Sequence, residues 1–163
     1  MEENQFLKSL RAFLCEAKKK GYAVGDKATI RLESNGSKTI RYEKGLWKYE
    51  DNYFGGNPFG GREIVLFTGK PFLIINYYGS ILKPHSRDKE KVELISSFLR
   101  KALCNVIEER PFRGPFEYGK DKMVYFDKST GDISDFYGKE IIYDGPDNLV
   151  YEAHYRGGFI CQD

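Results

Sequence analysis

The chain has 163 residues, and its 26 Lys and Arg against 24 Asp and Glu leave a net charge of +2. So balanced a charge removes the electrostatic case for direct nucleic-acid or membrane binding. Hydrophobic residues at 40% and charged residues at 31% give an ordinary globular balance, which excludes a disordered or membrane-spanning composition.

A chain of this length buries roughly 70% of its unfolded surface, so it needs no disulfide or metal staple. Cys15, Cys104 and Cys161 are odd in number, widely spaced and without a C-x-x-C pair, which argues against a disulfide framework and a zinc site. The opening Met1-Glu2-Glu3-Asn4 has neither a basic stretch nor an apolar core of a leader, so a reducing cytoplasm is the expected compartment. Tyrosine and phenylalanine, 12 of each, point to a β-rich core or an aromatic-lined pocket.

Residues 4–20 predict the first helix, with Phe6, Leu7, Leu10, Phe13, Leu14 and Ala17 on one face and Gly21 as the stop. Lys18-Lys19-Lys20 sits at its end, where cations complement the helix dipole. A short strand is expected within Ala28 to Leu32. Asn35-Gly36-Ser37, although it matches a glycosylation sequon, reads as a turn. Thr39 to Glu43 and Leu46 to Phe54 then predict a hairpin around Lys44-Gly45. On its second strand Trp47, Tyr49, Asp51 and Tyr53 share a face, either a core face or an aromatic surface for cation–π binding.

The glycine-dense residues 55–61 read as a connection. They lack the lysine and following helix of a phosphate loop. Strands are expected at Glu63 to Thr68 and Phe72 to Tyr78, the latter apolar on both faces and therefore central. A second helix is expected near residues 87–109, capped by Ser86 and ended by Pro111, with Val92, Ile95, Phe98, Leu99, Ala102, Leu103 and Val106 as its apolar stripe. Arg113-Gly114-Pro115 reads as a turn. Four strands follow, near residues 116–118, 123–127, 133–143 and 149–155.

Two segments echo each other. Phe59-Gly60-Gly61-Arg62-Glu63-Ile64-Val65 matches Phe136-Tyr137-Gly138-Lys139-Glu140-Ile141-Ile142, and at the same spacing Tyr78 matches Tyr155. The helices share L-R-x-x-L-C at Leu10 to Cys15 and Leu99 to Cys104. The fold class expected is therefore α+β, an antiparallel sheet with two packed helices. It would form a single domain, residues 1–163, built by internal duplication of a helix-plus-four-strand unit with halves at about 4–80 and 87–160.

Such halves pack about a pseudo-twofold axis, where pockets commonly form. Glu63 and Glu140 would then face each other and either bind a cation, serve as an acid/base pair or simply pair with Arg62, Lys139 or a backbone amide at a bulge. The candidate ligand-binding residues are Glu63, Glu140, Tyr78, Tyr155, Trp47 and Tyr49. No catalytic residue, metal site or cofactor is expected. His85 reads as a loop residue. His154 lies on a strand face with Glu152 and Arg156, and neither a Glu152–His154 nor a Cys161–His154 pair fits a hydrolase pattern.

Tyr53 to Gly61 to Glu63, Pro71 to Asn76-Tyr77-Tyr78-Gly79, Arg113-Gly114-Pro115, Phe136-x-Gly138-x-Glu140-x-Ile142 and Tyr151 to Tyr155-x-Gly157-Gly158 together resemble a prokaryotic domain family of unknown function. The resemblance spans roughly Leu46 to Ile160. Some members of that family are appended to helix-turn-helix regulators, which implies a sensing role. No such module is evident here, so the DNA-binding role does not carry over. The expectation is a non-catalytic small-molecule-binding or effector-sensing domain. The rivals are a protein–protein interaction module, as a homodimer or with another protein, and a small enzyme using paired carboxylates.

Overall fold

The computed structural model describes residues 2–23 and 30–161. Helix α1 (Glu2–Ala23) is followed by β1 (Ile30–Leu32), β2 (Lys38–Lys44), β3 (Trp47–Gly55), β4 (Phe59–Phe67) and β5 (Lys70–Ile81). A 3-10 turn at His85–Arg87 leads into α2 (Lys89–Leu103), then β6 (Glu117–Lys120), β7 (Met123–Asp132), β8 (Asp135–Asp144) and β9 (Leu149–Phe159). The nine strands form one antiparallel sheet in the order β1-β2-β3-β4-β5-β9-β8-β7-β6. The chain meanders inward from one edge to β5, crosses through α2 to the other edge, and meanders inward again to β9. The two meanders meet along β5 and β9, from Leu73 opposite Phe159 to Ile81 opposite Tyr151.

Both helices cover the same face of the sheet. Leu10, Phe13, Leu14 and Ala17 of α1 pack on Trp47, Tyr49, Val65, Leu73 and Ile75. Ile95, Phe98, Leu99, Ala102 and Leu103 of α2 pack on Met123, Tyr125, Ile142, Val150 and Tyr151. These are the expected apolar stripes, and each fully buried large side chain contributes about 1.5–3 kcal/mol relative to exposure. The opposite face is open, with Tyr78 and Tyr137 both exposed. Among the described residues no helix is long and apolar enough to cross a membrane.

Several boundaries differ from the sequence expectation for identifiable reasons. Helix α1 continues through Gly21, which passes over the side chain of Ile40, and ends at Ala23. Asp88, not Ser86, caps α2: its backbone is extended, and its carboxylate accepts from the amides of Glu90 and Lys91 at 3.0 and 3.2 Å. Helix α2 stops at Leu103, well before Pro111, where the Asn105 amide donates to the Lys101 carbonyl. Residues 59–61 lie within β4, so part of the glycine run is strand. Ile133 sits buried in the turn between β7 and β8 instead of opening a strand. The strand expected from Ala28 falls partly outside the described residues, and Ile30–Leu32 is its described part.

Candidate functional site

The inner face of the sheet carries two matching rows of polar residues. In the first meander Asp51 on β3 stands opposite Glu63 on β4. In the second, Asp127 on β7 stands opposite Glu140 on β8. Tyr77 and Tyr155 pair with each other where β5 meets β9. Each tyrosine reaches across its neighbouring strand: the Tyr77 hydroxyl donates to Asp51 at 2.6 Å, and the Tyr155 hydroxyl donates to Asp127 at 2.7 Å.

The glycines of the echoed motif make this reach possible. Gly61 lies opposite Tyr77 and Gly138 opposite Tyr155. A Cβ on Gly61 would stand 2.6 Å from the Tyr77 hydroxyl, and one on Gly138 would stand 2.3 Å from that of Tyr155. No other residue leaves room for a ring to cross the strand.

Three buried cations serve the four carboxylates of these rows. Lys18 of α1 is wholly enclosed, pairs with Glu63 at 2.7 Å and donates to the Phe112 carbonyl. The expectation that Lys18 sits at the helix end to complement the dipole is therefore corrected: α1 runs on to Ala23, and Lys18 projects from the helix face that meets the sheet, where a carboxylate compensates its burial. Arg113, beyond α2, pairs with Glu140 at 2.7 Å, lies 3.9 Å from Glu63 and stacks over the Tyr77 ring. Arg110 pairs with Asp127 at 2.8 Å and also donates to the Tyr155 hydroxyl at 3.3 Å. Tyr125 and Tyr151 both donate to Glu140, at 2.6 and 2.7 Å.

The electrostatics follow from these partners. Burial works to raise the Glu140 pKa, but the charge and hydrogen bonds of Arg113, with those of Tyr125 and Tyr151, outweigh it and hold the group below its ordinary value. Asp127 is pushed up to about 6, by burial first and then by the charge of Glu140, against Arg110 and Tyr155. Asp51 is pushed up to about 7, by burial first and then by the charge of Glu63, against Tyr77, Arg113 and Lys18. Burial and the adjacent carboxylate raise Tyr125 and Tyr151 well above the ordinary tyrosine value.

Above Asp51 the two helices leave a cavity of about 490 Å³. Asp51, Tyr53, Tyr77 and Arg113 contribute from the sheet side, and Val92, Ser96 and Leu99 from α2. Lys38 and Arg100 line it on its solvent side, where both are exposed. The volume lies within the range of small-molecule pockets. Among the described residues no group of three His, Cys, Asp or Glu side chains is placed to hold a metal ion.

The six residues singled out from the sequence fall in three places. Glu63 and Glu140 come together through the Arg113 guanidinium, but both are fully buried and neither lines the cavity. Trp47 and Tyr49 are core residues beneath α1. Tyr155 is buried and bound to Asp127, whereas Tyr78 is 62% exposed on the opposite face, beside His154. The true counterpart of Tyr155 in the sheet is Tyr77, because the second meander spaces its glutamate and tyrosine one residue further apart. Glu152 is paired with Lys139 at 2.9 Å, on the face that carries His154.

The candidate list from the sequence left out Tyr77, Arg110, Arg113 and Lys18, and also Asp51, although the sequence places Asp51 on one face with Trp47, Tyr49 and Tyr53. One signal was present: Tyr49-x-Asp51 and Tyr125-x-Asp127 form a second echo, one strand before the first.

A family model, Domain of unknown function (DUF5680), matches residues 51–160, and the chain belongs to that family. The match takes in Asp51, the whole of α2 and both arginines, and leaves Lys18 outside. No curated protein and no solved structure matches the chain.

Proposed function

We propose that this member of the family is a non-catalytic domain that binds a small molecule in the cavity between α2 and the sheet, and so senses an effector. One observation carries the reading: Asp51 is a buried carboxylate, fixed by Tyr77, at the wall of an open cavity of about 490 Å³. Clefts of this size with few, fixed polar groups are the usual form of a ligand site. Glu63, by contrast, is ion-paired with Lys18 and Arg113, Glu140 is held by Arg113, Tyr125 and Tyr151, and neither lines the cavity. That favours a structural role for them over an acid/base pair.

The matching rows of Asp, Glu and Tyr also support descent of the two halves from one duplicated unit. On this reading the second half keeps a closed site and the first an open one. A cytoplasmic sensing role agrees with the resemblance to domains appended to transcriptional regulators. The rival reading, an interaction module, rests on the exposed Tyr78 and Tyr137 of the outer face.

A thermal-shift screen of nucleotides, amines, amino acids and aromatic cations tests the reading. The comparison is between wild type and Ser96→Trp, whose indole would fill the cavity. A ligand at about 100 times its dissociation constant adds roughly 2.7 kcal/mol. A shift in wild type that Ser96→Trp loses is the expected result. A folded wild type that responds to nothing, or responds equally with the cavity filled, overturns it.

A further inference from the structure

We propose that the cavity seats the cationic head of a small zwitterion, a guanidinium or an amine, against Asp51, in the position that Arg110 occupies against Asp127. This deepens the reading of the cavity as a ligand site and rests on it.

The two halves supply an internal comparison. Asp127 and Asp51 hold matching register positions, opposite Glu140 and Glu63. Each accepts from a tyrosine hydroxyl at 2.6–2.7 Å through one carboxylate oxygen, Oδ1. The second oxygen of Asp127 takes the Arg110 guanidinium at 2.8 Å. Arg110 comes from the chain itself, and it fills the space above the Asp127–Tyr155 pair.

In the first half the corresponding space is the cavity. Lys18 and Arg113 direct their ion pairs to Glu63 and Glu140, and none of the described residues pairs a cation with Asp51. A buried carboxylate with one fixed donor and an open side is the arrangement that a cationic nitrogen completes.

The remaining charges narrow the class. Lys38, Arg100 and Arg113 all line the same cavity. A plain cation would meet three positive side chains and one aspartate. A zwitterion satisfies both signs: its nitrogen faces Asp51, and its carboxylate or phosphate faces exposed Lys38 and Arg100. Tyr53 and Tyr77 add aromatic walls, with Lys38 already 5.9 Å from the Tyr53 ring and Arg113 4.8 Å from that of Tyr77.

The test is calorimetric titration at pH 8 with guanidinoacetate, 4-guanidinobutyrate, 6-aminohexanoate and L-arginine. 4-Ureidobutyrate serves as the match for 4-guanidinobutyrate with an uncharged head, and propylguanidinium as the match without a carboxylate. At least one zwitterion should bind wild type. 4-Ureidobutyrate and propylguanidinium should bind more weakly than 4-guanidinobutyrate, and Asp51→Asn should weaken binding roughly tenfold or more. Arg100→Gln, on the exposed helix face, should weaken the carboxylate-bearing probes and should not weaken propylguanidinium.

Binding that Asp51→Asn leaves intact, or that 4-ureidobutyrate matches, overturns the cation seat. So does failure of every zwitterion here while a neutral or anionic compound gives a shift that Ser96→Trp abolishes; in that case the cavity remains a ligand site. Failure of all compounds in both experiments removes the site itself.

Discussion

Asp51 and Asp127 stand at matching positions on the same face of one sheet, each held by a tyrosine from the sheet's centre, yet only Asp127 is closed over by an arginine of its own chain. Four buried carboxylates face three buried cations in this network, and the carboxylate left over borders the cavity. The imbalance links the packing of the core to the chemistry of the site.

That link gives a pH dependence of binding. Facing Asp51 are Glu63 on β4, Tyr77 on β5, Tyr53 on its own strand, Lys18 on α1 and Arg113 beyond α2. Burial and Glu63 raise its pKa to about 7, and a cation binds its ionised form. Affinity for a guanidino carboxylate should therefore tighten between pH 6 and pH 8, on the order of tenfold. Titrations across that range should give a flat profile for Asp51→Asn.

Stability should move the other way. Asp51 and Asp127 have folded pKa values of about 7 and about 6, above the ordinary 3.8. Between those limits the folded chain holds protons that the unfolded chain has released, so their contribution is full below about pH 4 and is lost as pH rises toward 7. Glu140, held low, contributes above the ordinary carboxylate range and loses that contribution in acid. Urea midpoints from pH 5 to pH 8 should fall for wild type and flatten in Asp51→Asn/Asp127→Asn.

Removing Arg113 would leave Glu140 and Glu63 without the guanidinium they share. Arg113→Met should cost on the order of 3–5 kcal/mol, because an uncompensated carboxylate remains in the core. Adding Glu140→Gln should recover part of that loss. Urea unfolding of the two singles and the double measures the coupling.

The echoed glycines make a sharper steric prediction. Gly138→Ala puts a methyl 2.3 Å from the Tyr155 ring and should destabilise by about 1–3 kcal/mol. Gly56→Ala, with nothing within 4 Å of the new Cβ, should change stability by less than about 0.5 kcal/mol. Thermal melts of both variants separate a packing role for Gly138 from a general glycine effect.

Much of the fold was legible because periodicity survives in single sequences. The stripe from Leu10 to Ala17 and that from Ile95 to Leu103 mark both helices, and the apolar run at Phe72–Ile75 marks a central strand. The echo at Phe59–Val65 and Phe136–Ile142 located two glutamates that do meet through Arg113. What was not legible depends on distance in three dimensions. A lysine in a basic run at a helix end reads as a partner for the dipole until the sheet supplies Glu63, and an arginine beside a proline looks like a loop residue until the loop folds inward. The choice of Tyr78 over Tyr77 shows how a one-residue difference in spacing moves a strand residue to the opposite face.

Amide chemical-shift perturbation on the labelled protein, with the guanidino and amino carboxylates as probes, shows directly whether the cavity is where a compound binds. Changes should centre on Asp51, Tyr53, Tyr77, Ser96 and Leu99, around the cavity. Changes confined to Tyr78, Tyr137 and His154 would place the binding surface on the open face and contradict it.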